Sequence, residues 1–153
     1  MGWTSTLPAA IDGLVRVFTE APGLDGVTVR DGASVSQARI TEVISVGYTG
    51  AEDEKDADAT LVREGLGGAL DREQLTIRCV AAVLHGTTDL PAARRRAYGL
   101  LAAAASALAV DRTLGGTVMT AWISAHSLSQ SQIDQGAQAV VLFTVTCDAY
   151  SGL

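Results

Sequence analysis

The 153-residue chain has little of what most chemical sites are built from. It holds two cysteines and two histidines. Cys79 and Cys147 lie far apart with no CxxC spacing, so the sequence offers neither a zinc cluster nor a disulfide framework, and the expectation is a pair of buried thiols. A metal site needs three or four ligands brought together, and His85 and His126 have no acid or cysteine beside them in sequence. No metal and no cofactor is therefore expected. Basic residues are also few: 11 Lys and Arg against 17 Asp and Glu give a net charge of −6, the reverse of the basic face that grips nucleic-acid phosphates. The longest apolar run, Leu100 to Val110 broken only by Ser106, is far short of the roughly 20 residues that cross a bilayer, so no membrane partner is expected. The first residues, MGWTSTLPAA, lack the basic start and apolar core of a secretory signal. Together these features lead us to expect a soluble protein made in the cytoplasm.

What is present is small and apolar. Hydrophobic residues make up 48% of the chain, and the mean hydropathy is +0.25, which excludes a disordered polymer. Charged residues are only 18%, fewer than in the average soluble domain, which suggests some surface meant for a partner. The length suits one domain. Charge is uneven: residues 52 to 73 carry eight acids (Glu52, Asp53, Glu54, Asp56, Asp58, Glu64, Asp71, Glu73) against Lys55, Arg63 and Arg72, which accounts for −5 of the −6.

Ile11, Leu14, Val15 and Phe18 recur at helical spacing after Thr6 and Pro8 and predict a first helix, closed by Pro22 and Gly23. Residues 27–30 read as a short strand, and the β-branched alternation from Ile40 to Thr49 as another. The acidic stretch at about 50–74 reads as a long exposed loop. Leu75 to His85 returns to strand alternation, with Leu75, Ile77, Cys79, Ala81 and Val83 on one face and a mixed second face. Asp89 and Pro91 open a second helix whose Ala97, Leu100, Leu101, Ala104 and Leu108 share one side. Thr117–Leu128 and Gln138–Tyr150 read as two further strands joined by the polar SQSQIDQGA. The expected fold is α+β: one domain, with two main helices packed on one face of a mainly antiparallel four- to five-stranded sheet.

Two glycine-rich pieces invite a phosphate reading, EGLGGAL at 64–70 and TLGGTV at 113–118. Neither carries the lysine of a Walker loop, and the second runs from helix to strand, so it would meet an anion with a helix C-terminus. It reads as a turn. A thiol–imidazole pair from His85 or His126 with Cys79 or Cys147 would be a nucleophile and base, but thiols within strand alternation are ordinarily packing. Ser127, Ser129 and Ser131 lack a nucleophile-elbow context, and the acids at 52–58 read as a solvated face, so no catalytic residue and no enzyme is expected. Arg94, Arg95 and Arg96 open the second helix about 100° apart and so cannot form one patch. They read either as a solvated helix start or as a bridge to an acidic neighbour, for which residues 52–58 of another subunit are a natural acceptor.

The order of these elements, with IDGLVRVF, LTIRCVAAVLHGTTD, ARRRAYGLLAAAASALAVDRTLGGTVMTAWIS and AVVLFTVTCDAY, resembles the tail terminator proteins of long-tailed bacteriophages, also called tail completion or minor tail proteins. The resemblance runs from about residue 7 to 150. Its most specific part is a helix followed by D-x-x-L-G-G, here Asp111 to Gly116, and a strand. It implies a structural virion protein whose copies form a hexameric ring. The ring would stop tail-tube polymerisation and join the tail to the head connector while DNA passes through its lumen. Glu52, Asp53, Glu54, Asp56, Asp58, Arg94, Arg95 and Arg96 are then the expected subunit or lumen contacts. The acidic insertion and the unpatterned residues 31–39 depart from the pattern. Two other readings are a head-closure or tail-tube component and a small α+β enzyme or ligand-binding domain.

Overall fold

Alternation along two long strands decides the architecture. The structure, a computed structural model, describes residues 4–33, 41–63 and 70–152. Among these, two helices and six strands follow in the order α1 (Leu7–Glu20), β1 (Thr28–Asp31), β2 (Glu42–Val46), β3 (Ala57–Arg63), β4 (Leu70–His85), α2 (Leu90–Val110), β5 (Thr120–Ile133) and β6 (Gly136–Gly152). β4 and β6 pair antiparallel from Leu70 opposite Gly152 to His85 opposite Ala137. Because side chains alternate across a strand, opposed residues share a face. One face carries Leu75, Ile77, Cys79, Ala81 and Val83 of β4 with Ala139, Val141, Phe143, Val145 and Cys147 of β6, and all are buried. These residues form one core with the inner sides of both helices.

Five strands lie in the order β1-β2-β4-β6-β5, and β3 also pairs with β4. Of the described strand pairs only β1 and β2 run parallel. This is an α+β fold with a mostly antiparallel sheet, of six strands where four to five were expected. α2 lies over β4, β6 and β5 and buries Ala93, Ala97, Leu100, Leu101, Ala104 and Leu108. Three of these six are alanines, which lets the helix axis approach the sheet closely. The buried stripe of α1 is Ala10, Leu14, Val17 and Phe18, one step round from the predicted stripe, and Ile11 and Val15 are left at its margin. Phe18 meets Phe143 edge-on with ring centroids 6.4 Å apart.

The missed strand is β3. Its sequence ADATLVR is mostly exposed and carries an acid, so it looks like loop, yet Ala57 to Arg63 pair in register with Ile77 to Asp71. An edge strand draws its stability from the neighbour's backbone hydrogen bonds and need not bury an apolar face of its own. The acidic excursion is correspondingly shorter than the predicted loop at about 50–74. β2 ends opposite Cys79 and β3 begins opposite Ile77, so both lie along the same side of β4, and residues 47–56 bulge out between them. The glycine-rich residues 64–69 and most of 31–39 lie outside the described residues. The polar SQSQIDQGA is likewise no linker. β5 runs to Ile133 and β6 starts at Gly136, leaving a two-residue turn, Asp134-Gln135, closed by Gly136 at φ 129°.

If Phe143 is the centre of this layer, Phe143→Ala will cost about 3–5 kcal/mol in urea denaturation. A loss below about 1 kcal/mol contradicts the packing described.

Candidate functional site

The Leu-Gly-Gly turn is a structural lock. Leu114, Gly115 and Gly116 all have positive φ, at 52°, 72° and 90°. Leu114 is buried, and its Cβ fits against α1 because residue 13 is glycine: a Cβ there would sit 3.0 Å from it. The Gly115 N–H donates to both carboxylate oxygens of Asp111, at 3.0 and 3.1 Å, and the Gly116 N–H donates to Thr113 Oγ1 at 3.0 Å. The amides that a phosphate loop would offer are thus engaged by the chain's own side chains. Arg16 of α1 stands 3.6 Å from Asp111 and ties the turn to the first helix. The Gly115 hydrogen bond, helped by Arg16, holds the Asp111 carboxyl below its usual range.

The candidate nucleophiles and bases do not converge. Cys79 and Cys147 are fully buried in the core, and burial pushes both thiols up to about 12. His126 faces α2, where its Nδ1 lies 3.1 Å from Tyr98 Oη with the rings nearly perpendicular, and His85 Nδ1 lies 3.4 Å from Thr87 Oγ1. Ser127, Ser129 and Ser131 stand opposite Leu142, Val140 and Gln138 on the face without helices. Among the described residues no group of three or more His, Cys, Asp or Glu is placed to hold a metal ion. A groove of about 430 Å³ between the ends of α1 and α2 is floored by Val17, Ala21, Ala103 and Ala107.

The three arginines part company as helical geometry requires. Arg94 turns toward β5 and donates to Gln130 Oε1 at 3.1 Å. Arg96 turns the other way and makes a two-pronged ion pair with Glu42 of β2, Nη2 to Oε1 at 3.0 Å and Nε to Oε2. This bond holds the Glu42 carboxyl below its usual range. Arg95 points away from the sheet and is exposed, making no hydrogen bond or ion pair with a described residue. Arg96 therefore has its acceptor within the same chain, whereas Arg94 and Arg95 have no acidic partner among the described residues.

The acidic excursion is anchored by Arg78, a residue the alternation pattern placed only as an outward strand position. The Tyr48 N–H donates to the Arg78 carbonyl at 3.0 Å, and the Arg78 N–H donates to the Asp56 carbonyl at 3.0 Å. Arg78 Nη1 then donates to the Lys55 carbonyl at 3.1 Å and to Asp58 Oδ2 at 3.2 Å. Asp58 is thereby neutralised, whereas Glu52, Asp53, Glu54 and Asp56 are exposed with no cationic partner among the described residues. Glu73 was also read as part of the acidic surface, but it is buried at 1% exposure. It accepts from Ser5 Oγ at 2.6 Å and from the Thr6 N–H at 2.8 Å, so it caps the start of α1 from β4. Its inward parity with Leu75 and Ile77 was the available signal.

Among the described residues no helix lies on the second face of the sheet. Its centre is uncharged: Val80, Ala82 and Leu84 of β4 lie opposite Leu142, Val140 and Gln138 of β6, with Ser127, Ser129 and Ser131 of β5 beyond. Comparison of the sequence with known protein families and with curated proteins finds no match.

Because Glu42 and Asp111 have lowered folded values, their contribution to stability is present above the ordinary carboxylate range and is lost as pH falls through the folded values. Glu42→Gln will lower the melting temperature at pH 7 by an amount worth up to about 1 kcal/mol. The gap to the parent will close on acidification below about pH 4, near the ordinary carboxylate values. Curves that stay parallel down to pH 2 contradict the Arg96–Glu42 assignment.

Proposed function

We propose that this chain is a structural virion protein, a tail terminator. Its copies close into a ring on the tail tube, end polymerisation of the tube and present the surface to which the head connector joins. The sequence resemblance suggests the role, and one structural observation favours it over the alternatives. Charge is divided between opposite margins of the sheet, with Glu52, Asp53, Glu54 and Asp56 beside the β2–β3 side and Arg94 above β5. Surfaces that complement each other but differ make head-to-tail contacts, and such contacts close into rings when the rotation permits. On this reading the acidic loop and the neighbour's Arg94 form the polar rim of the subunit contact, and Arg95 is free for the next ring or the connector. The net charge of −6 lets DNA pass the lumen without being held. The protein is assembled in the host cytoplasm and ends in the virion.

The test is the joint replacement Glu52→Gln, Asp53→Asn, Glu54→Gln and Asp56→Asn. Chemical denaturation will change by no more than about 0.5 kcal/mol, as for other exposed positions. Ring formation on purified tail tubes, followed by light scattering and negative-stain imaging, will weaken, and assembly of the parent will weaken as salt is raised. Parent protein that stays monomeric at every concentration, with or without tubes, abolishes the proposal. Equal assembly of parent and variant removes the loop's part in it.

A further inference from the structure

Among the described residues the sheet has three free edges, β1, β3 and β5; β1 is only four residues, TVRD, and carries Arg30 and Asp31, whereas β3 and β5 match each other. Among the described residues no strand pairs with the outer side of β5, and none with the side of β3 that faces away from β4. Free edges are ordinarily blunted by charge, proline or strong twist. β5 runs for 14 residues, TAWISAHSLSQSQI, with no Asp, Glu, Lys, Arg or Pro and one irregularity between Ile123 and Ala125. Of the eight large apolar residues left exposed among the described residues, Leu61 and Val62 lie on β3 and Trp122, Leu128 and Ile133 on β5, with Met119 just before it. Exposed apolar surface is therefore concentrated where backbone groups are also unpaired. Neither edge presents an unneutralised charge that pairing would have to dehydrate, since Asp58 is bound by Arg78 at 3.2 Å and Arg63 stands 3.6 Å from Asp71.

We propose that β5 of one copy pairs antiparallel with β3 of a second copy, so that the sheet continues from subunit to subunit. The occupant follows from direction and charge. β3 runs against β4, β4 against β6 and β6 against β5, so β3 and β5 have opposite sense. Copies set side by side in the same orientation present an antiparallel pair. The seven residues of β3 fit within the fourteen of β5. In that arrangement the residues preceding β3, which include Glu52 to Asp56, lie toward the later part of β5, where Gln130 holds Arg94. A parallel arrangement would carry them apart. Every copy gives one edge and receives the other, which makes the contact heterologous. This contact rests on the ring reading and specifies the surfaces that make it.

Disulfide trapping tests it. Val62 lies on the helix-free face, opposite Arg72, and Ser127 and Ser129 share that face, whereas Leu128 and Gln130 face α2. Val62→Cys is combined in turn with a cysteine at 127, 128, 129 or 130; all these positions are exposed, and native Cys79 and Cys147 are buried and do not compete. Neighbouring strands alone bring Cα atoms within the roughly 4.4–6.8 Å that a disulfide spans. Mild oxidation will give a covalent ladder of dimers and higher multiples with 127 or 129, and at least tenfold less with 128 and 130. Protein that assembles in light scattering yet gives no ladder, or equal ladders on both faces, overturns the edge contact and leaves the ring reading standing. Protein that does not assemble at all removes both.

Discussion

The burial of one face of the β4–β6 pair beneath the two helices is the constraint on which the rest depends. Sixteen consecutive register pairs hold these strands together, and a slip of one residue would exchange Leu75, Ile77 and Val145 for Thr76, Arg78 and Thr144 in the core. That cost pins the register. With the register fixed, the positions of Arg78 under the acidic excursion and of Glu73 under the start of α1 follow. So does the uncharged strip of the opposite face.

Much of this was legible where local chemistry and global packing agree. Asp89 accepts from the Ala92 N–H at 3.0 Å, as its place before Pro91 suggested. Leu114 is buried and Gly115 and Gly116 turn the chain, as the order of helix, D-x-x-L-G-G and strand implied, although β5 begins at Thr120 and not at Thr117. The errors share one physical cause. β3 and the second half of β5 are edge strands held by a neighbour's backbone, so their side chains carry no burial pattern to read. The partner of Arg96 was hidden for a related reason. An ion pair across 54 residues depends on how α2 is laid on the sheet, so that Arg96 reaches Glu42 at the start of β2, and no spacing along the chain encodes that.

Of the eight residues expected at an interaction surface, the structure engages two in local duties: Asp58 with Arg78 and Arg96 with Glu42. Arg94 is bound to a neutral amide, which orients it without neutralising it. Glu52, Asp53, Glu54, Asp56 and Arg95 have no partner of opposite charge among the described residues. Unneutralised charge at the margins, and partly apolar backbone edges whose own charges are paired within the chain, are the ordinary anatomy of an assembling surface, a polar rim around a core from which unpaired charge is excluded. The proposed role as a ring-forming tail protein brings these features into one account, in which the same edges that escaped prediction do the joining.

Amide hydrogen exchange across assembly addresses that account most directly. In dilute protein the outward amides of 120–133 and 57–63 should exchange rapidly, since no described strand covers them. On assembly those two segments should become protected together while exchange in α2 stays unchanged. An assembly in which β3 and β5 remain as unprotected as in the monomer would contradict the claim that the free edges join the copies.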